Sequence, residues 1–395
     1  MQFDFKDLEY VIGDQDLIKG AKEVAALKPF DERVINFFND LSSVMCKYRE
    51  FSDIVTYGFW CRKAAILHEK SKYSDIDNSY GRGVVFHSTP SNVPVNFAFS
   101  FTAGLLAGNI NIVRLPGNYF AQVGIICNAI SELLKDKYTD LTAYICFIKY
   151  ASNIDITNAL SNICDVRVIW GGDRTISNIR KSPLQARATD ITFADRHSIV
   201  VIDANAYLES GNKEEIANAF YNDTYFTDQN ACTSPRIVFW MGNNVNEAKN
   251  QFWQRIHNLV SERYTLASVH SVGKLNAMYR IAANREVRFE EASDMLVSRI
   301  HIDTLDSSLM DYKYNSGFFL EYDIKSLEEI LPICNDRCQT LTYYGIKTDE
   351  INAFINKYRP RGIDRVIKMG RSMDFSLIWD GYDLIHQLSR RVYFL

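Results

Sequence analysis

The sequence lacks any apolar run of the roughly 18 residues that a membrane-spanning helix needs. Its opening stretch, MQFDFKDLEYVIGDQD, is acidic and has no apolar centre, which is not how a secretory signal begins. It has no basic stripe either, because the formal net charge is −4 and the 44 Lys and Arg residues are spread along the chain. These absences argue against a membrane span, secretion and nucleic-acid binding. We expect a cytoplasmic protein.

Three familiar motifs are also missing. No G-x-G-x-x-G follows a strand, no G-x-x-x-x-G-K-[ST] occurs, and no C-x-x-C is present. The eight cysteines are scattered, which does not resemble a disulfide framework. Cys334 and Cys338 lie four residues apart, but two ligands without a nearby histidine do not complete a zinc site. We therefore predict no metal.

What the sequence does contain is enough apolar material for a large core, at 47% of 395 residues. The first 75 residues show helical periodicity, with a cap near Asp31. From residue 81 short apolar runs alternate with helical stretches, which predicts an α/β fold with a mostly parallel sheet. ITFADRHSIVVIDANA indicates a boundary. We expect N-terminal helices and a nucleotide-binding domain over 1–192, and a catalytic domain over 193–395.

One cysteine stands in unusual company. Cys232 lies in the polar segment TDQNACTSPR, between a predicted helix and the apolar strand RIVFWMG. Its neighbours Ala231 and Thr233 are small, and the segment offers hydrogen-bond donors that favour a thiolate. These residues alone leave two interpretations open. Cys232 is either a nucleophile or a loop cysteine without a chemical role.

An asparagine lies in a rigid loop after the first strand. Asn92 follows Ser91 and is flanked by Pro90 and Pro94, which stiffen the backbone on both sides. A strand that leads through a loop into a helix commonly binds a ligand at that loop in a parallel sheet. The Asn92 amide is a candidate oxyanion donor. The alternative is that it only stabilises the turn.

Two further segments are candidates for nucleotide contacts. Arg114 ends a strand just before Leu115 and Pro116, where its planar fork could hold a ribose or a 2′-phosphate. WGGD at residues 170–173 ends another strand, and Gly171 and Gly172, followed by Asp173, would let a phosphate or sugar approach closely. A solvated arginine and an ordinary glycine turn are the alternatives.

Taken together, these segments resemble the aldehyde dehydrogenase superfamily. The order PSNVP, AGLLAGNINIVRLP, a glycine-rich strand end and DQNACTSPRI is similar to that of the superfamily. The resemblance implies a Rossmann-like parallel-sheet cofactor domain beside an α/β catalytic domain. It assigns the oxyanion amide to Asn92, a ribose contact to Arg114 and the nucleophile to Cys232. Ser91, Pro116, Gly171, Gly172 and Asp173 fall in the cofactor-binding segments.

More specifically, the chain resembles the acyl-CoA reductase family of the bacterial luciferase operon, the LuxC type. The similarity rests on FHSTPSNVPV, VIWGGDRTISNIR, TDQNACTSPR and the long C-terminal stretch RGIDRVIKMGRSMDFSLIWDGYDLIHQLSRR. Phe193 stands where oxidative aldehyde dehydrogenases place the glutamate that activates water. A reductase that takes its acyl group from a thioester has no need of that base, because hydrolysis would waste the thioester.

The resemblance implies reduction of an acyl-CoA or acyl-protein thioester to the aldehyde through a Cys232 acyl-enzyme. Arg114 in place of lysine favours NADPH, with NADH as the alternative. An acyl-protein synthetase or transferase partner and a homo-oligomer are compatible with this interpretation. Two other functions remain open, namely a redox-silent acyl-cysteine carrier or acyltransferase, and a non-catalytic subunit of a fatty-acid reductase complex.

Overall fold

The computed structural model describes residues 5–91, 93–290 and 294–395, and its chain divides into two compact units. Unit 1 comprises residues up to Ala194 together with Phe375–Leu395, and unit 2 comprises Asp195–Asp374. Helices and strands are numbered along the chain. Across the described ranges, no helix has both the length and the apolarity to cross a membrane.

The main sheet of unit 1 is mostly parallel, as the alternating sequence predicts. Its order is β1-β5-β4-β3-β6-β7, and only β1 runs antiparallel to its neighbour. The central strands are buried on both faces, which explains their continuous apolar sequences. The strands are β1 Glu9–Ile12, β3 Val84–Ser88, β4 Ile110–Arg114, β5 Ile145–Lys149, β6 Val166–Trp170 and β7 Thr189–Phe193.

The helices of unit 1 bury apolar faces against this sheet and against one another. The expected cap of the second helix is confirmed, since the Asp31 carboxylate accepts a hydrogen bond from the Arg33 backbone N–H. The helices are α1 Gln15–Gly20, α2 Glu32–Met45, α3 Ser52–Trp60, α4 Lys63–Lys70, α5 Asn96–Leu106, α6 Ala121–Asp136, α7 Ile154–Ile163, α8 Asp173–Ile179 and α14 Leu384–Leu388.

The C-terminal residues return to unit 1. Two small sheets pair β15 Ile378–Trp379 with β16 Tyr382–Asp383, and β17 Ser389–Arg391 with β2 Ser79–Gly81. We expected the whole of 193–395 to form the catalytic domain. The division after Ala194 lies close to the expected boundary, but residues 375–395 pack with the first unit because β17 hydrogen-bonds to β2.

Unit 2 is built on a seven-stranded sheet of order β10-β11-β12-β9-β8-β13-β14, parallel except for β10. Its strands are β8 His197–Asp203, β9 Pro235–Met241, β10 Val287–Phe289, β11 Ser298–Ile302, β12 Phe318–Ile324, β13 Cys338–Tyr344 and β14 Arg365–Lys368. Its helices are α9 Ala204–Glu209, α10 Lys213–Asp223, α11 Val245–Arg263, α12 Ser268–Ala282 and α13 Thr348–Tyr358. Both units are α/β, as the sequence predicts.

Candidate active site

Cys232 lies in the loop that joins α10 to β9, at the amino end of a central strand of unit 2. All eight cysteines are thiols, and only Cys232 and Cys46 are less than fully buried. Burial raises the pKa of Cys127, Cys146 and Cys164 to about 12, so these thiols stay protonated at neutral pH. Accessibility therefore separates Cys232 from most of the other cysteines.

The backbone leading to Cys232 is strained. Asp228 and Gln229 both have φ of 53°, in the left-handed region that residues with a side chain seldom adopt. Each such residue costs about 1–3 kcal/mol and persists only where surrounding contacts impose it. Such conformations cluster at functional sites. The loop is then closed by a turn in which the Ser234 N–H donates to the Ala231 carbonyl, at 3.0 Å.

Several buried polar groups hold this loop. The Ser198 hydroxyl on β8 donates to the Cys232 carbonyl at 2.7 Å, which fixes the peptide plane after the cysteine. The Gln229 side chain is fully buried, and Arg236 on β9 is also buried. Sequence analysis did not single out these three residues. An arginine near the start of an otherwise apolar strand was the only available signal, and it pointed to no particular partner.

A histidine near this loop is unsuited to act as its base. His197 begins β8, and its imidazole is buried. Burial, followed by the positive charges of Arg236 and Lys313, lowers the pKa of His197 to about 3. An imidazole with so low a pKa stays neutral and accepts a proton poorly at neutral pH. The site therefore differs from a Cys–His pair of the protease type.

The candidate cofactor residues of unit 1 share one edge of its sheet. Strand β3 lies between β4 and β6, all three are parallel, and their carboxyl ends therefore meet. The chain moves from β3 to one side through β4 and β5, then returns to the other side at β6, which makes a topological switch point. Ligands bind at such points in open α/β sheets. The structure brings the following predicted residues to this edge: Ser91, Arg114, Pro116, Gly171, Gly172 and Asp173.

Arg114 is held by Tyr150, which directly follows β5, the neighbour of β4 in the sheet. Its Nη2 donates to the Tyr150 carbonyl at 3.2 Å, and its guanidinium carbon lies 4.3 Å from the centre of the Tyr150 ring. The Thr89 hydroxyl donates to the Arg114 carbonyl at 2.6 Å, which ties the loop after β3 to the end of β4. The arginine is half-buried, so a ligand can still reach it.

The glycine turn after β6 leaves room for a ligand. A Cβ atom placed on Gly172 would meet no other atom within 4 Å, and Gly172 and Asp173 are both exposed. A phosphate or a ribose can therefore approach the backbone closely here. Ser91 is exposed on the neighbouring loop, whereas Asn92 lies outside the described residues. These features fit a nicotinamide dinucleotide.

Aromatic rings occupy the carboxyl ends of β6 and β7. Phe193 stacks on Trp170 with a centroid distance of 3.7 Å and an interplanar angle of 15°. The Trp170 Nε1–H donates to the Ser100 hydroxyl at 3.0 Å, which fixes the indole ring. Phe193 is buried. A phenyl ring, held in a stack, thus stands at the position that the resemblance assigns to a water-activating glutamate.

Comparison with known proteins agrees with this architecture. The profile of the family described as "Acyl-CoA reductase (LuxC)" matches residues 13–290. The chain belongs to the acyl-CoA reductase (LuxC) family. Members of this family are oxidoreductases that act on acyl thioesters. Within residues 5–91, 93–290 and 294–395, no group of three His, Cys, Asp or Glu side chains is arranged to hold a metal.

The relatives that this chain matches are distant from it in sequence. A long-chain acyl-protein thioester reductase of Aliivibrio fischeri is 20% identical over 347 residues, which cover 85% of this chain and 68% of that protein. The protein of the same description from Vibrio harveyi is 19% identical over 336 residues, which cover 80% of this chain. The match spans 64% of the Vibrio harveyi protein, or somewhat less than two thirds.

Solved aldehyde dehydrogenases share the fold. A NAD-dependent benzaldehyde dehydrogenase from Corynebacterium glutamicum superposes with a TM-score of 0.65 and 12% identity, covering 95% of this chain and 88% of that chain. Lactaldehyde dehydrogenase from Escherichia coli gives a TM-score of 0.63 and 12% identity, with 98% and 95% covered. The expected aldehyde dehydrogenase-like fold is therefore confirmed.

Proposed function

We propose that this protein reduces a long-chain acyl thioester to the aldehyde through a Cys232 acyl-enzyme, with NADPH as the reductant. The observation that carries the proposal is the anchored loop, which presents one half-buried cysteine ahead of a central strand. Family membership supports thioester reduction, and the fold supports a nicotinamide cofactor. Acyl-CoA and acyl-protein donors are both candidates, because relatives are named for the latter and the family for the former.

In the proposed first step, the Cys232 thiolate attacks the thioester carbonyl carbon and forms a tetrahedral oxyanion. The carbon–sulfur bond to the donor thiol then breaks, and that thiol leaves as its thiolate. We assign oxyanion stabilisation to the Asn92 amide and to the Cys232 backbone N–H. When bound, the nicotinamide cofactor supplies the hydride that the acyl-cysteine needs. Cys232 finally leaves the resulting thiohemiacetal as a thiolate, which releases the aldehyde.

The residues assigned to the cofactor have separate tasks. Arg114 would hold the 2′-phosphate or ribose, and the turn after Gly171, which is open at Gly172, would admit the remaining phosphates or the second ribose. We assign Ser91, Pro116 and Asp173 to the same binding edge. The Trp170–Phe193 stack provides no carboxylate to activate water, which is consistent with an acyl group kept for reduction.

The decisive experiment detects the acyl-enzyme by mass. Mixing the protein with an activated long-chain acyl donor should add one acyl group, which NADPH should remove with release of aldehyde. Cys232→Ser should abolish both the adduct and aldehyde formation. Cys46→Ser, which alters the other half-buried cysteine, should behave like the parent protein. Aldehyde formation by Cys232→Ser would overturn the proposal.

The alternatives give different patterns in the same experiment. An acyl-cysteine carrier or acyltransferase would form the adduct but retain it when NADPH is added. A non-catalytic subunit would form no adduct at all. Repeating the reaction with acyl-CoA and with an acylated carrier protein would separate the two candidate donors.

Asn92 provides a second test of the mechanism. Removal of one oxyanion donor typically lowers the rate by about 100- to 1,000-fold. Asn92→Ala should therefore reduce acyl transfer to Cys232 by roughly that factor, while the affinity for NADPH stays within about twofold. Stopped-flow measurement of donor thiol release gives the rate. An unchanged rate would exclude Asn92 as an oxyanion donor.

A further inference from the structure

The Gln229 side chain fastens the cysteine loop to two strands of unit 2. Its Oε1 accepts hydrogen bonds from the N–H groups of Gly317 and Phe318, at 2.8 and 3.0 Å. Its Nε2 donates to the carbonyls of Pro235 and Phe318, at 3.1 and 3.3 Å. Both ends of this buried amide therefore bind the backbone at the starts of β9 and β12. Four such bonds can hold a left-handed residue that would otherwise relax.

Arg236 holds the same loop from its other side. Its Nη2 donates to the Gln229 carbonyl at 3.0 Å, and its Nη1 donates to the Tyr314 carbonyl and the Asn315 amide oxygen, each at 2.8 Å. Asn315 in turn donates to the Asn230 side chain. The guanidinium thus links the residues just before Cys232 to the segment that leads into β12.

The charge of Arg236 also acts on the cysteine. Burial lowers the pKa of Arg236, whereas the negative charges of Asp195 and a Cys232 thiolate raise it. This interaction is mutual, so a guanidinium that is stabilised by the thiolate also stabilises the thiolate. The three hydrogen bonds that Arg236 donates fix the guanidinium in place, which means that it needs no rearrangement to exert this effect.

We propose that Gln229 and Arg236 are positioning residues for Cys232, with separable tasks. Gln229 imposes the left-handed backbone that presents the sulfur, and Arg236 anchors the loop and favours the thiolate. The inference rests on the proposed function only in taking Cys232 as the reacting group. Neither side chain needs to touch the substrate for this role.

The two tasks predict different pH profiles for the alkylation of Cys232 by iodoacetamide. In a Cys46→Ser background, Arg236→Met should move the midpoint of the profile to higher pH and lower the rate at pH 7 by about tenfold. Arg236→Lys should shift the midpoint less than Arg236→Met does, because lysine keeps the positive charge. Gln229→Met should lower the plateau rate at high pH and leave the midpoint in place.

Matched substitutions in the same sheet serve as controls. Arg299→Met removes a mostly buried arginine of β11, and Ser298→Ala removes a buried hydroxyl of that strand. Both should keep the parent midpoint and plateau, although Arg299→Met should lower the unfolding temperature. Near-ultraviolet circular dichroism establishes that each variant is folded. If Arg236→Met does not fold, the profile of the neutral, polar Arg236→Gln decides the charge effect and Asn315→Ala decides the anchoring.

A folded Arg236→Met with an unchanged midpoint, or a folded Gln229→Met with an unchanged plateau, would overturn the corresponding half of the inference. Both readouts are independent of NADPH. If Cys232→Ser still forms aldehyde, the proposed function fails while the alkylation profiles still report on the two positioning residues.

Discussion

Arg114 is oriented before any ligand arrives. The Tyr150 ring and carbonyl hold one face and one N–H of the guanidinium, which leaves other N–H groups of the planar fork for a ligand. Pre-orientation lowers the entropy that a flexible arginine would lose on binding. At the residue scale, we therefore propose that cofactor preference rests on this side chain.

Arg114→Gln should weaken NADPH binding by at least about tenfold, since a charge-assisted hydrogen bond contributes roughly 1.5–3 kcal/mol. NADH lacks the 2′-phosphate, so its affinity should change much less. Fluorescence titration with each cofactor measures both dissociation constants. Arg187→Gln, an exposed arginine elsewhere in unit 1, is the control. Equal losses for both cofactors would assign Arg114 to the ribose instead.

Sequence reasoning at the residue scale reached Cys232 through its polar surroundings, but it could not reach the groups that hold the loop. Gln229 binds backbone groups 88 and 89 positions further along the chain. Such pairings depend on how strands are ordered in the sheet, which no local pattern encodes. The left-handed φ of Asp228 and Gln229 could not be predicted either, because neither residue is a glycine, the residue type that would have indicated such a conformation.

At the scale of elements, a buried polar network joins β3, β4, α5 and β6. The Nδ1 of His87 lies 2.8 Å from the Ser100 hydroxyl, and its Nε2 lies 3.0 Å from the Asn111 amide oxygen. Because the Asn111 amide oxygen can only accept, Nε2 is the protonated nitrogen, and Nδ1 accepts the hydroxyl proton of Ser100. The network fixes α5 relative to the end of β6.

This network should make folding sensitive to acid. Burial lowers the pKa of His87 to about 4, below the 6.5 of an exposed histidine. As the pH falls, the unfolded chain therefore binds this proton before the folded chain does. The contribution of His87 to the free energy of unfolding is fully present above pH 6.5 and is lost as the pH drops towards 4. Between pH 7 and 4.5 the loss from this one group is about 2–3 kcal/mol. His87→Gln should reduce the measured difference in urea unfolding free energy by that amount.

His386 provides a control of opposite sign. Hydrogen bonding to Asp383, then to Asp75, raises the pKa of this partly exposed histidine. Its contribution is therefore present below pH 6.5 and is lost as the pH rises through the higher, folded-state value. His386→Gln should make the acid loss of stability steeper. A His87→Gln variant with the full acid loss would show that His87 does not carry the effect.

Element prediction from sequence succeeded where local periodicity was strong. The buried strands β3 to β6 and the helices between them follow from apolar runs bounded by turn residues. The sequence did not predict that residues 375–395 pack with unit 1, because that packing involves the pairing of β17 with β2, more than 300 residues earlier. Long-range pairing of that kind leaves no periodic signal in either segment.

On the scale of the whole molecule, the two units should respond differently to the cofactor. A ligand at 100 times its dissociation constant stabilises the structure that binds it by about 2.7 kcal/mol. NADPH should therefore slow hydrogen exchange in β3, β4 and β6 of unit 1. Exchange in β13 and β14, the last two strands in the order of the unit 2 sheet, is the internal reference. No protection in β3, β4 and β6 would contradict the proposed cofactor edge.

The pairing of β17 with β2 has a consequence for biosynthesis. The partner of Gly81 is Ser389, so this small sheet cannot form until translation has passed residue 389. At 5–20 residues per second, β2 waits on the order of 15–60 s for its partner. Unit 2 is encoded entirely between the two parts of unit 1. The ribosome therefore finishes synthesising unit 2, which carries Cys232, before it has synthesised all of unit 1.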